Sequence, residues 1–260
     1  MTRTAAVREI PALTPAALAR IERSDLAIGS ATLRSLLRRY RVSDEELIEQ
    51  LVELNRQAGE EDQLWRYRPF MPAGMPRVIA LEAAATEILS YHPTAVCELV
   101  QTEHYVRACF EGQRLTEGVS PEYAERHTEL RMERNKRILT REVPPSVRLI
   151  LGETALQTPV GGPGVMREQV SALIGLAEQD WVSIRLLALR PVYRPAHGFT
   201  ILRLGDLPAQ VHSESAWGTV LSSDKPHEVD RCTRRFEAME NTARSRQATT
   251  EYLRALRRLL

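Results

Sequence analysis

The chain has 260 residues, 43% of them hydrophobic, enough to bury a sizeable core in one large domain or in a small domain plus a larger one. A formal net charge of +1 gives no global electrostatic case for nucleic acid or for an acidic membrane surface, so any basic patch must be local, and residues 1–43 do lean basic. No window approaches the roughly 20 consecutive apolar residues that cross a bilayer, and three cysteines without CxxC spacing suit a reducing cytoplasm, with no disulfide or structural zinc expected.

Thr14 is placed to cap a helix opening at Pro15, since proline at the first helical position lacks only an N–H that has no helical partner. Leu18 and Ile21 share one face of it, leaving Arg20, Glu22 and Arg23 outside. Apolar spacing predicts further helices over 31–40 and 44–57, the second capped by Ser43 with Glu46 in the capping-box position. From 59 to 77 charge, then proline and methionine, break the period; this reads as a linker on which Trp65 and Tyr67 dock against something. Helices are expected next over 78–90, 102–110 and 121–140.

The pattern then changes. "SVRLILGE", "VSIRLLAL", "FTILRL", "AQVHSE" and "GTVLSS" are short, β-branched runs bounded by proline, glycine or aspartate, as strands are. A helix over 165–178 separates the first two, and helices over 227–244 and 249–260 close the chain. The expected fold class is α+β: a helical N-terminal remnant over 1–60, a linker over 61–77, and a domain over 78–260 whose mixed or antiparallel sheet carries helices on one face.

Ordered motifs along this pattern carry a resemblance. Ala19, Arg20, Ile21 and Glu22, then Leu36, Leu37 and Tyr40, fill the places of a reading helix and the helix after it. Leu81, Glu82 and Ala85 fit a Leu-Glu-x-x-Ala motif, and Val96, Leu99, Gln101, Thr102, Tyr105, Arg107 and Ala108 fit Val-Pro-Gly-Leu-Leu-Gln-Thr-x-x-Tyr-Ala-Arg-Ala, with Cys97 and Glu98 replacing Pro-Gly. Arg131, Arg134 and Asn135, then the run from Glu153 to Gln169, then Val211 to Glu214, continue the match. The sequence thus resembles the actinobacterial XRE-type helix-turn-helix regulators with a large C-terminal domain of unknown function (family 5753), the WhiJ-like or Scr-type group. The resemblance implies a transcriptional regulator linked to development or secondary metabolism, working as a homodimer with a small partner protein encoded nearby.

The DNA-binding head departs from that pattern. Residues 1–12 are too few to supply both helices that precede a reading helix, which take about 25 residues by helix-and-turn geometry. Pro11 falls where the positioning helix should still close its bonds, and Ala12 replaces the usual turn glycine. The reading helix opens with Pro15, Ala16 and Ala17, where a sequence reader presents polar side chains to base edges. Either the true start lies upstream or the protein has shed sequence reading, and the poor quality of the surviving half favours the second. If DNA is bound, Arg20 and Arg23 hold phosphates, with Thr14 and Ala17 nearest the bases.

If DNA binding is lost, the C-terminal domain must act by itself. The regulator reading gives it a small-molecule ligand or a protein partner to sense. The alternative is a cofactor-independent cyclase, isomerase or hydrolase, with Glu98, His212 and Glu214 as acid/base groups and Cys97 with His104 as a nucleophilic pair. Side chains alternate along a strand, so His212 and Glu214 share a face. Cys97 and His104 are seven residues apart, about 10 Å along a helix, and meet only if the chain turns at Thr102. A third reading is an interaction protein that sequesters a full-length paralogue. Arg131, Arg134 and Arg137 read as a solvated helix face or, more sharply, a partner-docking stripe. The glycines of "VGGPGVMREQ" lack the Gly-Lys-Ser/Thr ending of a phosphate loop and read as a turn and N-cap. No metal, cofactor or membrane is expected, since the six histidines show no ligand spacing.

Overall fold

The computed structural model describes every residue except 12, 23–27, 61–63, 189–194 and 216–218, and every side chain among the rest except those of 57–60 and 65. Helices α1 (Arg3–Val7), α2 (Pro15–Glu22), α3 (Ser30–Arg39) and α4 (Glu45–Glu60) form the N-terminal head. The stretch before Thr14, which reads as damaged, still builds a short helix and an apolar side: Ala6, Val7 and Ile10 pack with Leu18 of α2 and Leu36 of α3. Thr14 caps α2 as expected, its Oγ1 accepting from the Ala17 N–H at 3.0 Å. The cap of α4 is not Ser43 but Asp44, whose Oδ1 accepts from the N–H groups of Glu46 and Leu47 at 3.0 and 3.2 Å. A carboxylate one residue later answers the same unpaired helical donors and adds a favourable charge at the positive end of the helix dipole.

A 3-10 helix over Trp65–Phe70 follows, with Tyr67 buried beside Leu64, Ile79 and Leu130. Helix α5 (Met75–Ala84) is shorter than the helix expected over 78–90, because the chain leaves it after Ala84 and enters a strand, β1 (Glu87–His92). The other strands are β2 (Ser146–Gly152), β3 (Val182–Leu187), β4 (Phe199–Leu204), β5 (Leu207–Glu214) and β6 (Val220–Ser223). They form one mixed sheet in the order β3-β2-β1-β4-β5-β6. The β1, β2 and β3 strands run parallel; β4 turns antiparallel to β1, and the β4-β5-β6 meander continues antiparallel.

Parallel strands need crossovers. Helices α6 (Glu103–Glu117) and α7 (Pro121–Leu139) lie between β1 and β2, and α8 (Thr154–Gln157) and α9 (Pro163–Ala177) between β2 and β3. The glycine pair of "VGGPGVMREQ" is the turn into α9, with φ of +67° and +87° at Gly161 and Gly162 and Pro163 at the first helical position. One sheet face buries Ile88, Leu149, Ile184 and Leu202 against Tyr105, Ile138, Val170 and Leu253, the last from the C-terminal α11 (Arg246–Leu259). The opposite face is covered too: Leu89, Tyr91, Ile150 and Ile201 pack on Phe236 and Met239 of α10 (Pro226–Thr242). Helices therefore flank both faces, not the single face expected, because the central strands are apolar on both sides and each side must leave water. Among the described residues no helix is long and apolar enough to cross a membrane.

Candidate functional site

Strand register lines up four polar side chains. Ser90 of β1 lies opposite Thr200 of β4, Thr200 opposite His212 of β5, and His212 opposite Ser222 of β6. Residues paired in register share a sheet face, so all four look toward the layer that holds α5 and α7. Ser90 Oγ is 2.6 Å from Thr200 Oγ1 and 2.9 Å from Nε2 of His92, two residues on and on the same face. Cys97 Sγ comes to 3.8 Å from Ser90 Oγ.

Charge from the helices meets this polar row. Arg134 of α7 donates through Nε and Nη2 to the two oxygens of Glu82 on α5, both at 2.6 Å, and through Nη1 to Glu98 at 3.2 Å. One turn earlier Arg131 donates to the other Glu98 oxygen at 3.2 Å and to Gln101 Oε1 at 2.9 Å. Asn135 Nδ2 donates to the Glu98 carbonyl at 2.7 Å, and Arg77 of α5 donates to Gln210 Oε1 on β5 at 2.9 Å. Residues three and four apart on α7 share a side of the helix, so one face delivers all three α7 groups. That face is not solvated: the side chains of Arg131 and Arg134 are only 17% and 8% exposed.

The charges reset one another. Arg131, opposed by burial and helped by Arg134, holds the Glu98 carboxyl at about 2. Burial by itself lowers Arg134, but Glu82 and Glu98 more than offset it and leave the guanidinium firmly charged. His212, desolvated between strand and helix, drops to about 4 and stays neutral at physiological pH. Glu214, at the exposed end of β5, is raised by the partial burial of its carboxyl and then by Glu98. Burial disfavours both the Cys97 thiolate and the His92 imidazolium; their mutual attraction outweighs it, lowering the thiol and raising the imidazole. The result is an ionised clamp, a neutral histidine and a thiol–imidazole pair that favour each other's charged forms, within one seam between sheet and helices.

A family model for a domain of unknown function, DUF5753, matches residues 75–255, the part of the chain that builds this seam. The chain belongs to the DUF5753 family. No protein of curated function and no solved structure matches it.

Within the DUF5753 domain, Cys97, Glu98, His212 and Glu214 share one electrostatic neighbourhood, since Glu98 acts on both His212 and Glu214 and Cys97 bonds with His92. His104 does not join them. Thr102 caps α6, which turns His104 outward to an exposed hydrogen bond with Glu168 of α9 at 2.7 Å. The histidine that serves Cys97 is His92, which precedes it in the chain. Ser90, His92 and Thr200 carry no motif; only the strand assignment of 87–92 puts the first two on one face and in register with the third. Among the described residues no group of three or more histidine, cysteine, aspartate or glutamate side chains gathers as a metal site would.

The head places its own candidates on α2. Thr14 and Arg20 are exposed and Ala17 half-buried, with the Thr14 hydroxyl engaged in the cap; Arg23 lies outside the described residues.

Proposed function

We propose that the chain is a cytoplasmic regulator of the actinobacterial XRE type, whose helix-turn-helix head has weakened or lost sequence-specific DNA binding and whose DUF5753 domain senses a small ligand or a protein partner. The observation that supports this reading is the outer face of α2. Leu18 is buried against α1 and α3, and the surface left to a groove is Thr14, Pro15, Ala16, Arg20 and Glu22, the last held by Arg3. Arg20 can hold a phosphate, but such a face offers base edges no paired donors and acceptors, so it positions without specifying. A homodimer and docking of a small partner protein encoded nearby belong to the same proposal, on the strength of the resemblance.

Fluorescence anisotropy with the duplex upstream of the coding sequence and with an unrelated duplex, across a salt series, tests it. The two duplexes should bind alike at low salt and release steeply as salt rises. Tight binding selective for the upstream duplex refutes the weakened head, and no binding to either at low salt refutes contact with DNA. A cofactor-independent hydrolase is the second reading, favoured by the Cys97–His92 pair beside Ser90. It requires turnover of an activated ester that Cys97→Ser abolishes while the fold is kept; equal rates in the two proteins remove it.

A further inference from the structure

A cavity of about 510 Å³ opens where the last turn of α2, the loop leading into α5 and the edge strand β6 converge. Its wall is clamped in place. The Val220 N–H donates to the Ala73 carbonyl at 3.0 Å, and Gly74, at φ +86°, approaches β6 so closely that a Cβ there would lie 2.2 Å from the Val220 oxygen. Met71, Pro72 and Val220 give the cavity an apolar side, while Arg68 and Arg77 bring positive charge to it. Glu22, the last residue of α2, is the carboxylate at its rim and is paired with Arg3 at 2.6 Å.

Bonding is unfinished at the floor. The Ser222 Oγ lines the cavity, buried and without a hydrogen-bond partner, and the Nδ1 of His212, beside it in register, is buried and unpartnered as well. An unsatisfied buried polar atom costs about 1–3 kcal/mol, and the Ser222 Oγ on the wall of a void of ligand size, with a second such atom in register behind it, marks a place where a bound molecule supplies what the fold does not.

We propose that this cavity binds a small organic anion with an apolar body, a carboxylate of medium chain length being the type. The apolar body lies along Met71, Pro72 and Val220; the charged head takes N–H bonds from Arg77 and the Ser222 hydroxyl, with Arg68 adding positive potential. Because Glu22 ends α2, occupancy bears directly on the helix that carries the head's exposed face, and this link alone rests on the regulator reading.

The test uses the full chain and anilinonaphthalene sulfonate, an apolar anion that fluoresces when bound. One site should fill; decanoate should displace the probe at least tenfold more effectively than decanol, and Ser222→Phe, which projects a ring into the cavity, should abolish binding. Pro72→Trp fills the cavity from the opposite wall and gives the same readout if Ser222→Phe does not fold. Failure of the wild type to bind, unchanged binding in a folded filling variant, or equal displacement by decanol and decanoate overturns the proposal. Hydrogen exchange across Pro15–Glu22 should slow with decanoate; unchanged exchange with binding intact overturns only the link to α2, whereas the DNA titration fails or succeeds independently.

Discussion

Glutamine at position 98 keeps the shape of the side chain and removes the charge that Arg131 and Arg134 share, and the consequence has a calculable pH signature. The folded carboxyl sits at about 2 against an ordinary 4.5. A difference of about two and a half units corresponds to roughly 3 kcal/mol of stability at neutral pH, reduced to about 2 kcal/mol because water still reaches the side chain, which is 26% exposed. A carboxylate depressed in the folded state contributes that stability above its unfolded value and loses it as the pH falls through its folded value. Urea unfolding followed by circular dichroism at pH 7, 5, 4, 3 and 2 should therefore place Glu98→Gln about 2 kcal/mol below the wild type at pH 7 and 5. The gap should close between about pH 4.5 and 2. Carboxylates that do not feel Glu98 titrate equally in both proteins and cancel in the comparison, whereas Glu214, which Glu98 raises, contributes a smaller difference of its own. A gap that is as wide at pH 2 as at pH 7 would show that the lost stability is steric, and the electrostatic account of the seam would fall.

Breaking the most deeply buried pair should cost more. Arg134→Met leaves Glu82, 5% exposed, without its partner and should destabilise by about 3–5 kcal/mol, whereas adding Glu82→Leu should recover part of that loss; a double variant as unstable as the sum of its singles argues against a coupled pair. His212 should stay neutral as acid is added, its imidazole resonances unmoved from pH 7.5 to 5, and a midpoint near 6.5 would contradict its burial. In a pH titration the Cys97 thiolate absorbance near 240 nm, absent in Cys97→Ser, should rise at lower pH in the wild type than in His92→Gln; coincident titrations of the two would remove the His92 contribution. Gly74→Ala should lower stability by about 1–3 kcal/mol in thermal unfolding, through positive φ and the clash with Val220, whereas Gly164→Ala in α9, with open space at its Cβ, should be neutral or slightly stabilising.

The strands from β2 to β6 are legible in the sequence because each is a short β-branched run set off by breakers, and the capped helix α2 announces itself through Thr14–Pro15. The first strand is not. Val78, Leu81, Ala85, Ile88 and Leu89 recur at three- and four-residue steps, and a central strand buried on both faces lacks the alternation that separates strand from helix. That one ambiguity hid the site: read as a helix, 78–90 scatters Ser90 and His92, and the partner of Cys97 is sought downstream at His104. The arginines of α7 are ambiguous in the sequence for a related reason. A helix face rich in arginine has the composition of a solvated face, and only the arrival of Glu82 and Glu98 from distant segments turns it inward.

Charge balance separates the stabilising part of the seam from the part left open to a ligand. Glu82 and Glu98 match Arg131 and Arg134, so the crowded centre is electrically closed and each ion has its partner at hand. Removing any one ion leaves a buried charge exposed to a low dielectric, which makes this centre costly to alter and leaves it little unmet affinity for a further charged molecule. The same sheet row ends differently. At β5 and β6 burial outweighs the pull of Glu82 and Glu98 and keeps the histidine neutral, and neither His212 Nδ1 nor Ser222 Oγ is bonded. Recognition belongs where bonding capacity remains, and that is the β6 edge beside the cavity under α2, several residues along the row from the charges that draw the eye first.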